Sequence, residues 1–225
     1  MPRPGWAPSL LVALVTASCA PTVAAPLGAS VAPEGRFELA AGASGRLPGR
    51  RIREAAASDA RMANGVVGGG PAPVLAIRHG LSRRVDVSLL VVGAGAGAEV
   101  RFAPVLVEGP ARMRLFTGVR GLVAVDASGD SDGLRTRVVL DAPLAVGIDA
   151  SSLLLVWGGL RGGTILVDGP RGPRAWRGGA LLGFGTGLRD VHALAELGAT
   201  FESWHGGVGA AGLVLEPAFA IRLRF

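Results

Sequence analysis

A strict alternation of apolar and charged residues near the carboxyl end constrains the fold more than any other feature. One parity holds the apolar residues Leu213, Leu215, Phe219, Ile221, Leu223 and Phe225, and the other holds Glu216, Arg222 and Arg224. Successive side chains of a strand point to opposite faces, so the pattern predicts a strand with one apolar and one charged face. A helix would place the charges on its apolar stripe. The predicted strand, 210–225, exceeds the usual length of about five or six residues and suits an oblique membrane crossing.

The same alternation recurs from residue 36 onward and predicts about ten strands. They are 36–46, 72–81, 84–93, 97–108, 111–126, 134–149, 151–161, 178–188, 190–203 and 210–225. Tight turns near Ser82, Gly109, Ala150 and Arg189 alternate with connections that are mostly longer, at 47–71, 94–96, 127–133, 162–177 and 204–209. Short turns at one rim and longer loops at the other are typical of membrane-spanning β-barrels. Weak alternation over 151–188 leaves eight strands possible.

The composition agrees with a barrel and argues against other classes. The chain is 49% hydrophobic and its mean hydropathy is +0.44, yet beyond the N-terminus it has no apolar run of about 18 residues, as a helical span would need. The net charge of +6 comes from arginine, without lysine. The arginines are scattered and matched by nearby carboxylates, so no basic cluster predicts nucleic-acid binding. One cysteine excludes an internal disulfide framework.

Residues 1–19 predict an export signal, because Arg3 precedes an apolar run and small residues surround Cys19. The segment "VTASC" resembles the lipobox of bacterial lipoproteins, with Thr16 where that family usually has Leu. The resemblance implies that Cys19 becomes the lipidated first residue of the mature chain; ordinary signal cleavage nearby is the alternative. The Ala- and Pro-rich residues 20–34 predict a flexible tether, and residues 35–225 predict the barrel.

The end of the chain resembles the C-terminal signal of bacterial outer-membrane β-barrel proteins, and the resemblance is carried by Phe219, Ile221, Leu223 and Phe225. The segment "IRHGLSRRVDVSLLV" also resembles a strand–turn–strand unit of small outer-membrane barrels, with His79 in the place of an aromatic residue. The resemblance implies an all-β, antiparallel, up-and-down transmembrane barrel in the outer membrane. Its partners would be outer-membrane lipids and, during biogenesis, the barrel-assembly machinery. The chain departs from the family in having no tyrosine and only 5% aromatic residues.

The inward parity collects charges that we predict to line or fill the barrel lumen. They are Glu38, Arg78, Asp86, Glu99, Arg101, Arg112, Arg114, Arg120, Asp126, Arg135, Arg137, Asp141, His192, Glu196, Glu202, Glu216, Arg222 and Arg224. A barrel of about ten strands is narrow, since about eight strands are already filled by side chains. This favours a structural network of ion pairs over a charged lining that filters solutes.

No motif predicts catalysis, a metal or a cofactor. A Ser–His–acid site could draw on His192, Glu196, Glu202, Ser203 and His205, but a strand would hold His192 and Glu196 about 13 Å apart. The acidic stretch "DASGDSDGL" lacks the closing Glu of a calcium loop, and the glycine runs match no nucleotide-binding loop.

We therefore expect an envelope barrel with a structural or interaction role, without catalysis or nucleic-acid binding. A narrow solute pore is the first alternative. A soluble β-sandwich lipoprotein that binds a partner or an apolar ligand is the second, and a lipid-modifying enzyme is the third. The oligomeric state is not specified by the sequence.

Overall fold

Ten antiparallel strands form one sheet that closes on itself in the computed structural model of the chain. The structure describes residues 28, 30–58, 70–109, 111–127, 134–151, 153–168, 172–188, 190–206 and 209–225. Each strand pairs with its neighbours in sequence, and the first strand closes the barrel against the last. This confirms the predicted all-β, up-and-down barrel and decides for ten strands rather than eight.

The strands have the following bounds. They are β1 (Phe37–Pro48), β2 (Gly70–Ser82), β3 (Val85–Val92), β4 (Gly95–Val107), β5 (Arg112–Ala127), β6 (Leu134–Asp149), β7 (Leu154–Val167), β8 (Arg174–Leu188), β9 (Val191–His205) and β10 (Ala211–Arg224). One helix, α1 (Arg50–Ser58), follows β1. At the seam Leu39 lies opposite Leu223, and the amide of Phe225 donates to the carbonyl of Phe37 at 2.9 Å.

The connections sort into two rims. The short-turn rim holds residues 83–84, 108–111, 150–153 and 189–190, together with the start of β1 and the end of β10. The long-loop rim holds residues 49–69, 93–94, 128–133, 168–173 and 206–210. All but one of the connections at the long-loop rim are longer than a two-residue turn, as the sequence predicted.

One predicted connection is wrong in its extent, and another contains a helix. The loop predicted for 162–177 shrinks to 168–173, because β7 continues to Val167 and β8 begins at Arg174. Gly162 and Gly163 lie inside β7; a Cβ on Gly163 would come within 2.1 Å of the carbonyl oxygen of Leu140. Glycine permits this close approach of two strands. The loop predicted for 47–71 contains α1.

The two faces of the barrel wall differ sharply in polarity. Large apolar side chains point outward, among them Leu89, Leu160 and Leu182, which are 67%, 63% and 65% exposed. The interior holds one apolar cluster toward the long-loop rim, to which α1 contributes Ile52, and a second toward the short-turn rim, around Trp157. Buried charges fill the space between them. Among the described residues, no helix is long and apolar enough to cross a membrane.

Candidate functional site

Most of the predicted lumen charges are buried in the interior. The buried members are Glu38, Arg78, Asp86, Glu99, Arg101, Arg120, Arg137, Asp141, His192, Glu202, Glu216 and Arg222. Arg114, Glu196 and Arg224 are half-buried, whereas Arg112 is exposed at the first residue of β5. The side chains of Asp126 and Arg135 lie outside the described residues.

One group of buried charges lies across the middle of the barrel and is called the central network. It consists of Arg46, Asp141, Arg161, Arg177, Glu202 and Glu216. Three arginines face three carboxylates, so the formal charges balance. This balance matters because an unpaired charge in a dry interior costs several kcal/mol, on the order of the whole stability of many domains.

Glu216 is the hub of the central network. Its side chain is fully buried and accepts hydrogen bonds from Arg177 and, at 3.1 Å, from Arg161. Arg46 lies 3.9 Å from the same carboxylate. Three guanidinium groups from β1, β7 and β8 therefore converge on one carboxylate of β10.

A bidentate pair completes the central network on its other side. Both terminal nitrogens of Arg46 donate to the Glu202 carboxylate at 2.6 Å. The indole nitrogen of Trp204 donates to the same carboxylate at 3.1 Å. Arg161 also donates to Asp141 at 3.4 Å. The forked pair between Arg46 and Glu202 fixes geometry as well as charge, and it ties β1 to β9, which are not neighbours in the sheet.

A second group, the mouth network, lies toward the short-turn rim. It consists of Glu38, Arg78, Asp86, Arg101, Arg222 and Arg224. Glu38 accepts hydrogen bonds from Arg78 and Arg224, and Asp86 accepts from Arg101 at 3.2 Å. Four arginines face two carboxylates here, so the mouth network carries a surplus of positive charge.

The chain that precedes β1 supplies further hydrogen-bond acceptors to the mouth network. We call residues 28 and 30–35 the inserted segment. The carbonyl of Ser30 accepts from Arg78 at 2.8 Å, and the carbonyl of Gly28 accepts from Arg101 at 3.0 Å. The amide of Ala32 donates to Asp86 at 2.8 Å. Buried charged groups therefore bind the backbone of this segment and hold it inside the mouth of the barrel.

The wall of the barrel is shaped to admit the inserted segment at Gly80. The amide of Gly35 donates to the carbonyl of Gly80 at 2.9 Å. A Cβ on Gly80 would lie 2.2 Å from the carbonyl oxygen of Pro33. This ordered path differs from the flexible tether expected over 20–34, of which residues 20–27 and 29 lie outside the described part. The predicted export signal, 1–19, and Cys19 also lie outside it.

Between the two networks the interior is nearly filled. Arg120 donates to both oxygens of Glu99 at 3.1 Å, and the indole nitrogen of Trp157 donates to Glu196 at 3.0 Å. The cavity beside these groups measures about 20 Å³, which is room for about one water molecule. The space that the described residues leave beside these groups is therefore too small for a solute larger than water.

Sequence reasoning missed three arginines that the central network needs. Arg46 lies within a predicted strand but was not assigned to the lumen, and Arg161 and Arg177 lie in glycine-rich stretches with weak alternation. All three are buried and paired. The available signal was the isolation of each arginine among apolar residues and glycines, since a lone charge in such a strand is better accommodated inside the barrel.

The residues considered for catalysis do not form a catalytic arrangement among the described residues. Ser203 lies 3.4 Å from His205 at the exposed end of β9, but no described carboxylate is hydrogen-bonded to His205. His192 is buried, and Glu196 is bound to Trp157. The described residues also contain no group of three or more His, Cys, Asp or Glu side chains that could hold a metal ion.

The four residues of the predicted assembly signal lie along the outer face of β10. Phe219, Ile221 and Phe225 are 51%, 48% and 60% exposed, and Leu223 is half-buried. They face outward beside the seam between β1 and β10.

Comparisons with known proteins place the chain near solved barrels without assigning a family. No family model and no curated protein matches the chain. The outer membrane protein OprG from Pseudomonas aeruginosa is 13% identical, with a TM-score of 0.38 over 88% of this chain and 99% of that chain. The outer membrane protease OmpT from Escherichia coli is 8% identical, with a TM-score of 0.36 over 86% and 97%. Ail, the attachment invasion locus protein of Yersinia pestis, is 9% identical, with a TM-score of 0.29 over 85% and 99%.

Proposed function

We propose that the chain is an outer-membrane β-barrel protein of the bacterial envelope with a filled interior. Its role is structural, or one of interaction with other envelope components, and it neither catalyses a reaction nor conducts solutes. The observation that carries this proposal is the separation of the two faces of the barrel wall, with large apolar side chains outside and the buried charges inside.

The outer face supports a membrane-spanning location. Among the described side chains of the ten strands, exposed Asp, Glu or Arg residues occur only at Arg112 and Arg174, which are the first residues of β5 and β8. Every strand except β3 has at least 12 residues, and about 9–11 tilted residues suffice to cross a bilayer. A closed barrel leaves no unpaired strand edge in lipid. In water, by contrast, so large an apolar surface would favour aggregation.

The interior supports a structural role rather than transport. The central network joins strands from several sides of the barrel, and its charges balance. The inserted segment occupies the mouth at the short-turn rim, and Ile52 of α1 is fully buried at the long-loop rim. A solute would have to displace these groups and leave buried charges unpaired, which is costly.

We further propose that the outer face of β10 is the assembly signal and that Cys19 carries a lipid. The exposed row formed by Phe219, Ile221 and Phe225 offers the assembly machinery an apolar surface beside the seam. Cys19 precedes Gly28 by nine residues in the sequence, a length that spans at most about 30 Å when fully extended. A lipid on Cys19 would therefore lie within that reach of Gly28.

The proposal predicts that the folded protein produces no current steps in planar lipid bilayers. Conductance is measured after reconstitution from vesicles. Folding is verified on the same sample by different gel mobility before and after boiling in SDS, and insertion by flotation with the vesicles. These controls ensure that the absence of current does not reflect absence of the barrel from the membrane. Reproducible unitary steps from such a sample would contradict the proposal and establish the narrow pore instead.

A further inference from the structure

A wide cavity opens at the short-turn rim, above the inserted segment. This cavity, which we call the vestibule, measures about 1060 Å³ and is lined by residues of the inserted segment and by the rim ends of several strands. Cavities that bind small molecules usually measure about 300–1000 Å³. The vestibule is therefore large enough to hold a small ligand.

Arginine dominates the lining of the vestibule. Its charged residues are Arg83, Arg112, Arg114, Arg222 and Arg224, against Glu34, Glu108 and Asp149. Arg114 pairs with Asp149 at 3.1 Å. Arg224 pairs with Glu38, which belongs to the mouth network, at 2.8 Å. Once these pairs are set aside, the lining keeps a surplus of positive charge.

Arg222 is the most constrained of these arginines. It is 2% exposed, and its nearest carboxylate, Glu38, is 3.9 Å away and already accepts hydrogen bonds from Arg78 and Arg224. One terminal nitrogen of Arg222 donates to the hydroxyl of Ser30 at 3.2 Å. Its Nε has no hydrogen-bond partner among the described residues. A buried guanidinium that shares its nearest carboxylate with two other arginines, while the next carboxylate of the vestibule, Asp149, is paired with Arg114, is electrostatically undercompensated.

We propose that the vestibule binds an anion that carries a phosphate or a carboxylate, with Arg222 as its buried contact and Arg112 as its contact at the open side. The forked guanidinium group matches both of these anions. A bound anion would compensate the charge surplus that Glu38 and Asp86 together leave in the mouth network. The phosphate could belong to a soluble anion or to a lipid headgroup at the rim.

The test is calorimetric titration of the full-length chain, folded in micelles of an uncharged maltoside detergent that carries neither phosphate nor carboxylate, with inorganic phosphate at constant ionic strength. We expect saturable binding. Arg222→Gln should weaken binding about tenfold or more, since a hydrogen bond between charged groups is lost. Arg84→Gln is the matched control: Arg84 is exposed in the same rim but is not among the residues that line the vestibule, and its loss should leave the affinity unchanged.

Two outcomes would overturn the proposal: no saturable binding, or equal weakening by Arg222→Gln and Arg84→Gln. Arg112→Gln keeps the test decisive if Arg222→Gln fails to fold, because Arg112 is exposed and its replacement disturbs no buried group. An affinity unchanged by Arg112→Gln would then count against the proposal. Repeating the titration with phosphatidylglycerol added to the micelles identifies the source. If phosphatidylglycerol weakens the binding of inorganic phosphate, and this competition disappears in Arg112→Gln, the result supports a lipid headgroup as the anion. If phosphatidylglycerol leaves the affinity for inorganic phosphate unchanged, the result supports a soluble anion.

Discussion

Replacing Glu216 with Gln is expected to destabilise the barrel by about 3–5 kcal/mol. The substitution keeps the size of the side chain and removes only its charge. Arg161 and Arg177 would lose the carboxylate to which they donate, and Arg46 would lose the attraction of a carboxylate 3.9 Å away. Three buried cations would then face the two carboxylates that remain in the central network. Breaking one side of a buried ion pair costs more than the pair contributes, because it leaves the partner buried and uncompensated.

The measurement is the urea midpoint of unfolding in vesicles, read from gel mobility without boiling. Glu54→Gln is the matched control, because Glu54 is paired with Arg50 at 2.6 Å on the exposed face of α1. Exposed pairs contribute less than about 1 kcal/mol, so the midpoint of this variant should barely move. Equal midpoints for the Glu216 variant and the unaltered protein would show that the central network does not stabilise the barrel.

Replacing Gly80 with Ala is expected to release the inserted segment from the mouth without changing any charge. The added Cβ would lie 2.2 Å from the carbonyl oxygen of Pro33 and 2.5 Å from that of Ala32, whereas it meets no atom of the barrel wall that closely. The segment must therefore move, and the contact between Ala32 and Asp86 at 2.8 Å is lost with it. A hydrogen bond to a charged group contributes about 1.5–3 kcal/mol, so the released population should rise about tenfold or more.

Release is measured as the labelling rate of a cysteine introduced by Val31→Cys, in a chain that also carries Cys19→Ala. Val31 is 7% exposed in the bound segment, so a bulky maleimide reagent should react slowly until the segment leaves the mouth. Gly178→Ala serves as the control, since a Cβ at Gly178 meets nothing within 4 Å. If the cysteine is labelled rapidly even with Gly80 intact, at the same rate as in the Gly80→Ala chain, the segment is not held in the mouth.

The wall of the barrel could be predicted from the sequence because each strand carries its own evidence. Alternation fixes which residues face out, and a single shift of register would put every charge of a strand into the apolar face. For this reason the sequence predicts the strands and their order along the chain wherever the alternation is strong. Where glycine replaces the outward apolar residues, as at Gly158 and Gly162, the alternation fades although the strand continues.

The contents of the barrel were harder to predict, because they depend on contacts between distant parts of the chain. Nothing local to Arg161 or Arg177 shows that both converge on Glu216, which lies 55 and 39 residues away. The inserted segment offers backbone carbonyls rather than a motif, so its sequence resembles a tether. Helix α1 was missed because one buried residue, Ile52, among exposed arginines gives no recognisable apolar stripe.

Quenching of tryptophan fluorescence by lipids that carry bromine on the acyl chain tests most directly whether the apolar face lies in a bilayer. Trp176 is 64% exposed on the outer face, whereas Trp157 and Trp204 are 2% and 1% exposed in the interior. Bromine quenches over short distances, so Trp176 should be quenched in brominated vesicles and the two interior indoles should not. The fourth tryptophan, Trp6, lies in the predicted export signal and is replaced by Phe in both proteins compared. We therefore predict strong quenching of the chain that carries Trp6→Phe and a clear loss of the quenched fraction when Trp176→Phe is added. The same quenched fraction in both proteins, or no quenching in either, would contradict a membrane-spanning barrel with its apolar face in lipid.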